Sequence, residues 1–184
     1  MMATVKPMGK SQTKRPSAPE PDVAEDMGQA TADHLTEAIE LLFFAYRDFI
    51  SDPDEILIEY GFGRAHHRVV HFVGRNPGIT VAELLDILRI TKQSLARVLK
   101  QLIERGFIEQ ETGKQDRRQR MLFLTATGRE LAQRLAAPQR ARVARALENA
   151  GPGADIAWRT VLLSLVNEED RPEVESLIAK IPTG

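Results

Sequence analysis

The 184-residue sequence predicts a mainly α-helical fold with a small β-wing: a winged helix-turn-helix flanked by N- and C-terminal dimerisation helices. Three observations predict it. Residues 78–125 set out two short amphipathic helices, an apolar strand, a polar basic loop and a second strand, the order of a helix-turn-helix with a wing. Apolar residues recur at helical spacing over most of the remaining chain, where Leu, Ala, Arg and Glu dominate. The first long helix is apolar around more of its circumference than one core face requires, which implies a cover on a second side.

The predicted organisation has four parts: a solvated tail over 1–30, an N-terminal dimerisation helix over 31–60, a winged lobe over 61–126, and C-terminal dimerisation helices over 127–184. The tail contains four prolines and few large apolar groups, so it cannot bury enough surface to offset its ordering entropy. The next helix runs from about Ala32 to Ser51 with Leu35, Ile39, Leu42, Tyr46, Phe49 and Ile50 on one stripe, widened by Phe43 and Phe44. Asp52-Pro53 is expected to end it. A second helix covers about Phe62 to Arg75 and stops at Asn76-Pro77-Gly78.

A third helix follows Thr80, which with Glu83 three residues on makes a capping box. Arg89-Ile90 form the turn. Thr91 caps a fourth helix over about Lys92 to Arg105, and Gly106 terminates it. Phe107 to Glu109 start one strand, Thr112 to Arg120 form the loop, and Met121 to Leu124 return as the second strand. A long helix follows with Pro138 expected to kink or interrupt it. After Gly151-Pro152-Gly153, a last helical region runs from about Asp155 to Lys180 with a bend at Arg171-Pro172.

Charge is unevenly distributed. The net charge is -1, yet Thr31–Tyr60 holds eight acids and one base, while Arg89–Arg120 holds nine bases and four acids. A polyanion is therefore a plausible partner for the second segment despite the neutral average. The fourth helix carries Lys92, Gln93, Ser94, Arg97, Lys100 and Gln101 opposite its apolar stripe, the side-chain types that reach base edges and phosphates. A solvated face would interleave acids, and here none appears before Glu104. The loop adds Arg117, Arg118 and Arg120, with Asp116 read as a brace that pairs with a neighbouring arginine.

Other classes find little support. With no cysteine, disulfides, thiolate metal sites and thiol redox sensing are excluded. No apolar run approaches the ~20 residues that span a bilayer, and no secretory signal is recognisable, so the expected location is the cytoplasm. No Gly-rich phosphate loop follows a strand and no Ser, His and Asp group has a motif around it, so neither an enzyme nor a cofactor is expected. Glu168, Glu169 and Asp170 read as solvation of a turn.

The segments NPGITVAELLDIL, ITKQSLARVLKQLIERGFIEQ, DRRQR and LTATGRELAQRL, in that order, resemble the MarR family of bacterial transcriptional regulators from about Ala32 onward. The resemblance implies a homodimer whose first and last helices interlock, a pseudo-palindromic double-stranded DNA operator, often a repressor role, and release of DNA when a small molecule enters the cleft between dimer region and DNA lobe. It places Ser94 and Arg97, with Lys92, Gln93 and Gln101, on the base-reading face. It puts an arginine of the Arg117-Arg118 pair in the minor groove and makes Asp116 its brace. The oxidation-sensing branch uses a cysteine in the first helix, which this chain lacks.

The segment FGRAHHRVVHF adds a second candidate site. His66, His67, Arg68 and His71 are expected to line an effector pocket or to pack as polar groups at the cleft. His67 and His71 share a face at i and i+4, so a metal-responsive regulator using His66, His67 and His71 is an alternative, with carboxylates such as Glu37 or Glu40 completing the site. A winged-helix protein-interaction module that reads no DNA is the other.

Overall fold

The structure, a computed structural model, describes residues 23–113 and 119–179, with side chains from residue 31 onward. The elements are α1 (Val23–Glu59), α2 (Arg64–Arg75), β1 (Ile79–Thr80), α3 (Val81–Leu88), α4 (Lys92–Glu104), β2 (Ile108–Thr112), β3 (Arg120–Leu124), α5 (Ala126–Ala150), α6 (Ala154–Leu165), a 3-10 turn (Glu168–Asp170) and α7 (Arg171–Ala179). Among the described residues no helix is long and apolar enough to cross a membrane. The chain divides into two units at residue 43, and the core belongs to the second.

Helix α1 departs from the sequence reading at both ends. It begins at Val23, inside the stretch whose composition reads as a tail. It also continues through Pro53 to Glu59, past the expected stop at Asp52-Pro53. A proline in a helix leaves the carbonyl four residues earlier without its donor. That carbonyl belongs to Phe49, and the Gln139 side-chain amide of α5 donates to it at 3.2 Å. The Pro53 ring is itself fully buried. Arg142, one turn on in α5, grips Asp52 through Nε and Nη2 at 2.9–3.2 Å. Packing against α5 thus replaces the lost bond and overrides the local stop signal.

The core fills the space between α2, α3, α4, α5 and a small sheet. Val69, Val70 and Val73 of α2 are fully buried beside Leu84, Leu95, Leu102, Leu122, Leu131 and Leu135. No polar or charged residue is buried among the described residues. The sheet is antiparallel in the order β1-β3-β2, with Ile79 opposite Leu122 and Ile108 opposite Leu124. The two-residue β1 is too short to leave a period-2 signal.

The LTATG segment explains how the ribbon is joined to α5. Leu124 is buried in the core. Thr125 caps α5, its Oγ1 accepting from Gly128 N at 3.0 Å while its own hydroxyl donates to Gly106 O at 2.6 Å. Gly128 lies so close to the strand that a Cβ built on it would stand 2.0 Å from the Phe107 carbonyl oxygen. Pro138 lies inside α5, which runs on as one helix instead of breaking there. The C-terminal break falls at Val166–Asn167, ahead of the expected Arg171-Pro172, and Pro172 occupies the first turn of α7, where its missing N–H costs nothing.

Candidate nucleic-acid interface

Local chemistry builds the helix-turn-helix. Thr80 and Glu83 form the capping box at the start of α3: Glu83 N donates to Thr80 Oγ1 at 3.2 Å and Thr80 N to Glu83 Oε2 at 2.8 Å. The turn is made by Arg89, whose φ of +49° is left-handed, the sole positive φ at a non-glycine among the described residues. Arg68 of α2 donates to the Leu88 carbonyl at 3.1 Å, closing the end of α3. The Arg89 guanidinium pairs with Asp170 in the 3-10 turn, and Asn167 donates to the same carboxylate at 3.2 Å. Asp170 therefore ties the C-terminal segment to the turn, where the sequence suggested only solvation.

Helix α4 starts at Thr91, whose Oγ1 accepts from Ser94 N at 3.2 Å. Leu95, Val98, Leu99 and Leu102 seat one face in the core. Lys92, Gln93, Ser94, Arg97, Lys100 and Gln101 are all exposed on the other. The Ser94 hydroxyl oxygen accepts from Thr91 Oγ1 at 2.9 Å. Lys100 Nζ lies 3.8 Å from Glu104, a loose pair between exposed groups that does not hold the ammonium in place. Within the ribbon, Arg120 donates across the strands to Thr112 Oγ1 at 3.0 Å, and Gly113 N closes the loop base on Gln119 O at 3.0 Å. Arg117, Arg118 and Asp116 lie outside the described residues.

An aromatic and cationic cluster braces this lobe. The Phe62 ring stacks on His66 at 4.5 Å and meets Phe107 edge-on at 5.3 Å. Arg105 sits 4.4 Å from the Phe62 centroid and donates to the Tyr60 carbonyl. Arg134 of α5 bonds the Tyr60 hydroxyl and pairs with Glu59 at 2.8 Å, and Glu59 holds its guanidinium pKa above the usual range. The links from Arg105 and Arg134 to Tyr60 and from Phe62 to Phe107 join segments 45 or more residues apart and do not follow from sequence spacing.

The histidine segment divides into two uses. His66 accepts from Gly63 N through Nδ1 at 3.1 Å and meets Gln101 Oε1 through Nε2 at 2.6 Å, so neither nitrogen is left for a metal. Among the described residues no three His, Asp or Glu side chains converge as a metal site requires. The metal-responsive alternative loses its third histidine on this geometry.

His67 and His71 instead line a cavity of about 260 Å3 between α2 and α5, together with Arg75, Arg129 and Arg140. An adjoining cavity of about 620 Å3 shares His71, Arg75 and Arg140 and is walled by Phe49, Phe72, Val143, Leu147 and Leu177. No carboxylate lines either one. Burial pushes the His67 imidazole below the usual histidine range, with Asp54 acting the other way. Burial does the same to His71, and the like charges of His67 and Arg75 add to it. His66 and Arg68, expected in this pocket, line neither cavity. Arg75, Arg129 and Arg140 do, and α5's basic face at that helical spacing was the available sign of the last two.

Comparison with known proteins agrees with this architecture. A family model described as the MarR family matches residues 60–119. The HTH-type transcriptional regulator PetP of Rhodobacter capsulatus is 44% identical over 147 residues, 80% of this chain and 89% of that protein. Among solved structures, one of MarR superposes with a TM-score of 0.57 at 25% identity, over 77% of this chain and 94% of that one. The structure of Streptococcus pneumoniae FabT in complex with DNA gives a TM-score of 0.64 at 19% identity, over 71% and 94%. Identity at the PetP level over most of both sequences, on this fold, places the chain in the MarR family of DNA-binding transcriptional regulators.

Proposed function

We propose that this chain works as a homodimeric, sequence-specific repressor whose affinity for DNA is set by a small anionic effector. The observation that carries the DNA reading is the outer face of α4, six exposed basic, amide and hydroxyl side chains seated directly after the α3 turn. In this reading Arg97, Ser94, Lys92, Gln93 and Gln101 meet base edges, Lys100 and Arg120 meet phosphates, and Arg117 and Arg118 reach the minor groove with Asp116 as brace. FabT, which shares the fold, is described in complex with DNA.

The dimer reading is supported by apolar surface. Within residues 31–43, Leu35 and Phe43 are 62% and 67% exposed; in α6, Ile156 and Leu165 are 69% and 64% exposed. Large apolar side chains exposed in this way mark association sites. Two copies would set their α4 helices about one helical turn of DNA apart, roughly 34 Å. The effector reading is supported by the cavity of His67, His71, Arg75, Arg129 and Arg140, which has positive charge on several sides and an apolar annex. A small aromatic carboxylate fits both halves.

The test is titration of a promoter fragment at several salt concentrations. Affinity should fall steeply with salt. Arg97→Ala should change sequence preference, and Arg118→Ala should weaken binding to all sequences. Equal operator affinity for the wild type and Arg118→Ala would refute the wing assignment. A footprint under ten base pairs would refute the dimer.

A further inference from the structure

The recognition face contains one amide whose orientation is set from behind. His66 stands in the first turn of α2, and its Nδ1 accepts the Gly63 N–H at 3.1 Å. A backbone N–H only donates, so Nδ1 carries no proton and, in the neutral ring, Nε2 does. Nε2 lies 2.6 Å from Gln101 Oε1. A protonated nitrogen needs an acceptor there, so it is the Gln101 carbonyl oxygen, not its amino group, that turns toward His66. The ring is held against rotation by stacking on Phe62, interplanar angle 11°.

A free glutamine reads adenine with both ends of its amide, accepting from N6 and donating to N7. With one lone pair of Oε1 engaged from behind, the amide is held in one orientation and cannot exchange its oxygen and amino group without losing the His66 bond. We propose that His66 is a positioning residue for DNA reading, fixing the orientation of the Gln101 amide so that its amino group donates to an acceptor on a base edge or a phosphate oxygen. This inference rests on the reading of α4 as the DNA face and adds to it a reason for the identity of residue 66, which touches no DNA itself. The two residues are 35 apart in sequence, and neither identifies the other without the fold.

The experiment is a double-mutant cycle in the full-length protein: wild type, His66→Glu, Gln101→Ala and the double variant, each used to select sites from randomised duplexes and then titrated on the selected sites. Glutamate at this position can still accept the Gly63 N–H, as in an ordinary capping box, but donates nothing to Gln101. Its added charge acts in both backgrounds and cancels in the comparison. With Gln101 present, His66→Glu should relax preference at the base pair that Gln101→Ala affects, by on the order of tenfold. If the acceptor is a phosphate, the change is instead a uniform loss of affinity. In the Gln101→Ala background His66→Glu should add nothing beyond its charge effect. Equal effects in both backgrounds overturn the coupling while leaving α4 as the DNA face. A Gln101→Ala variant with unchanged sites and affinity overturns the placement of Gln101 itself. Nitrogen NMR of the histidine rings in the DNA-free protein supplies a separate readout: His66 protonated on Nε2 is expected, and a proton on Nδ1 refutes the proposal.

Discussion

Gly128→Ala isolates the joint between the ribbon and α5. The added Cβ would stand 2.0 Å from the Phe107 carbonyl oxygen, a full ångström inside the 3.0 Å that real Cβ contacts respect, and 3.3 Å from the Leu124 Cβ. The obstacle is backbone that cannot swing aside: the Phe107 oxygen accepts the Thr125 N–H at 3.1 Å, and the Phe107 side chain is buried. Relief requires α5 to lift from β2. Overpacking of this kind costs about 1–3 kcal/mol, and loss of the Thr125 hydrogen bond about 1 kcal/mol more. Alanine returns up to ~1 kcal/mol through helix propensity. The net destabilisation is about 2 kcal/mol, or roughly 4–8 °C in Tm for a chain of this size. Scanning calorimetry at one fixed protein concentration measures it, since association would shift Tm with concentration. Gly74→Ala is the internal control: its Cβ meets only the Leu124 side chain, closest at the terminal Cδ1, 2.8 Å away. That variant should stay within about 0.5 kcal/mol of wild type, propensity offsetting contact. A Gly128→Ala protein as stable as the wild type would refute the steric account of the LTATG segment.

Further outcomes follow from the α1–α5 contact and the cavity. Gln139→Ala should cost about 1 kcal/mol in urea unfolding, and clearly less in a Pro53→Ala background, where the helix supplies its own donor to Phe49. The Asp52–Arg142 pair is partly exposed, so a double-mutant cycle through Asp52→Ala and Arg142→Ala should give a coupling of only about 0.5–1 kcal/mol, weakened by salt. Folded-state pKa values of His67 and His71 lie below the ordinary 6.5. The unfolded chain then takes up protons first as pH falls, so stability is fully present above about pH 6.5, declines below it, and levels off under the folded pKa values. A pH series of urea midpoints should lose most of this slope in a His67→Gln, His71→Gln variant. An anion bound among these groups favours their charged forms, so its binding should take up protons, readable by calorimetry in buffers of different ionisation enthalpy.

What was legible in the sequence was whatever chemistry is local. Thr80 and Glu83, Thr91, and Gly106 mark the ends of α3 and α4 within three or four residues of the groups they satisfy, so those boundaries follow from spacing alone. The apolar stripe of α4 fixes its buried face and, by exclusion, the six residues left outside. Long-range contacts decided the rest. A proline read locally is a stop; Gln139, far along the chain, makes Pro53 the middle of a helix. Three histidines read locally are one cluster; in the fold His66 turns to Gln101 while His67 and His71 face arginines of α5. Capping and periodicity act over one or two helical turns and leave their signature in adjacent residues. A hydrogen bond between segments 35 or 90 residues apart exists only once the core has brought them together, so the tertiary structure alone assigned those partners.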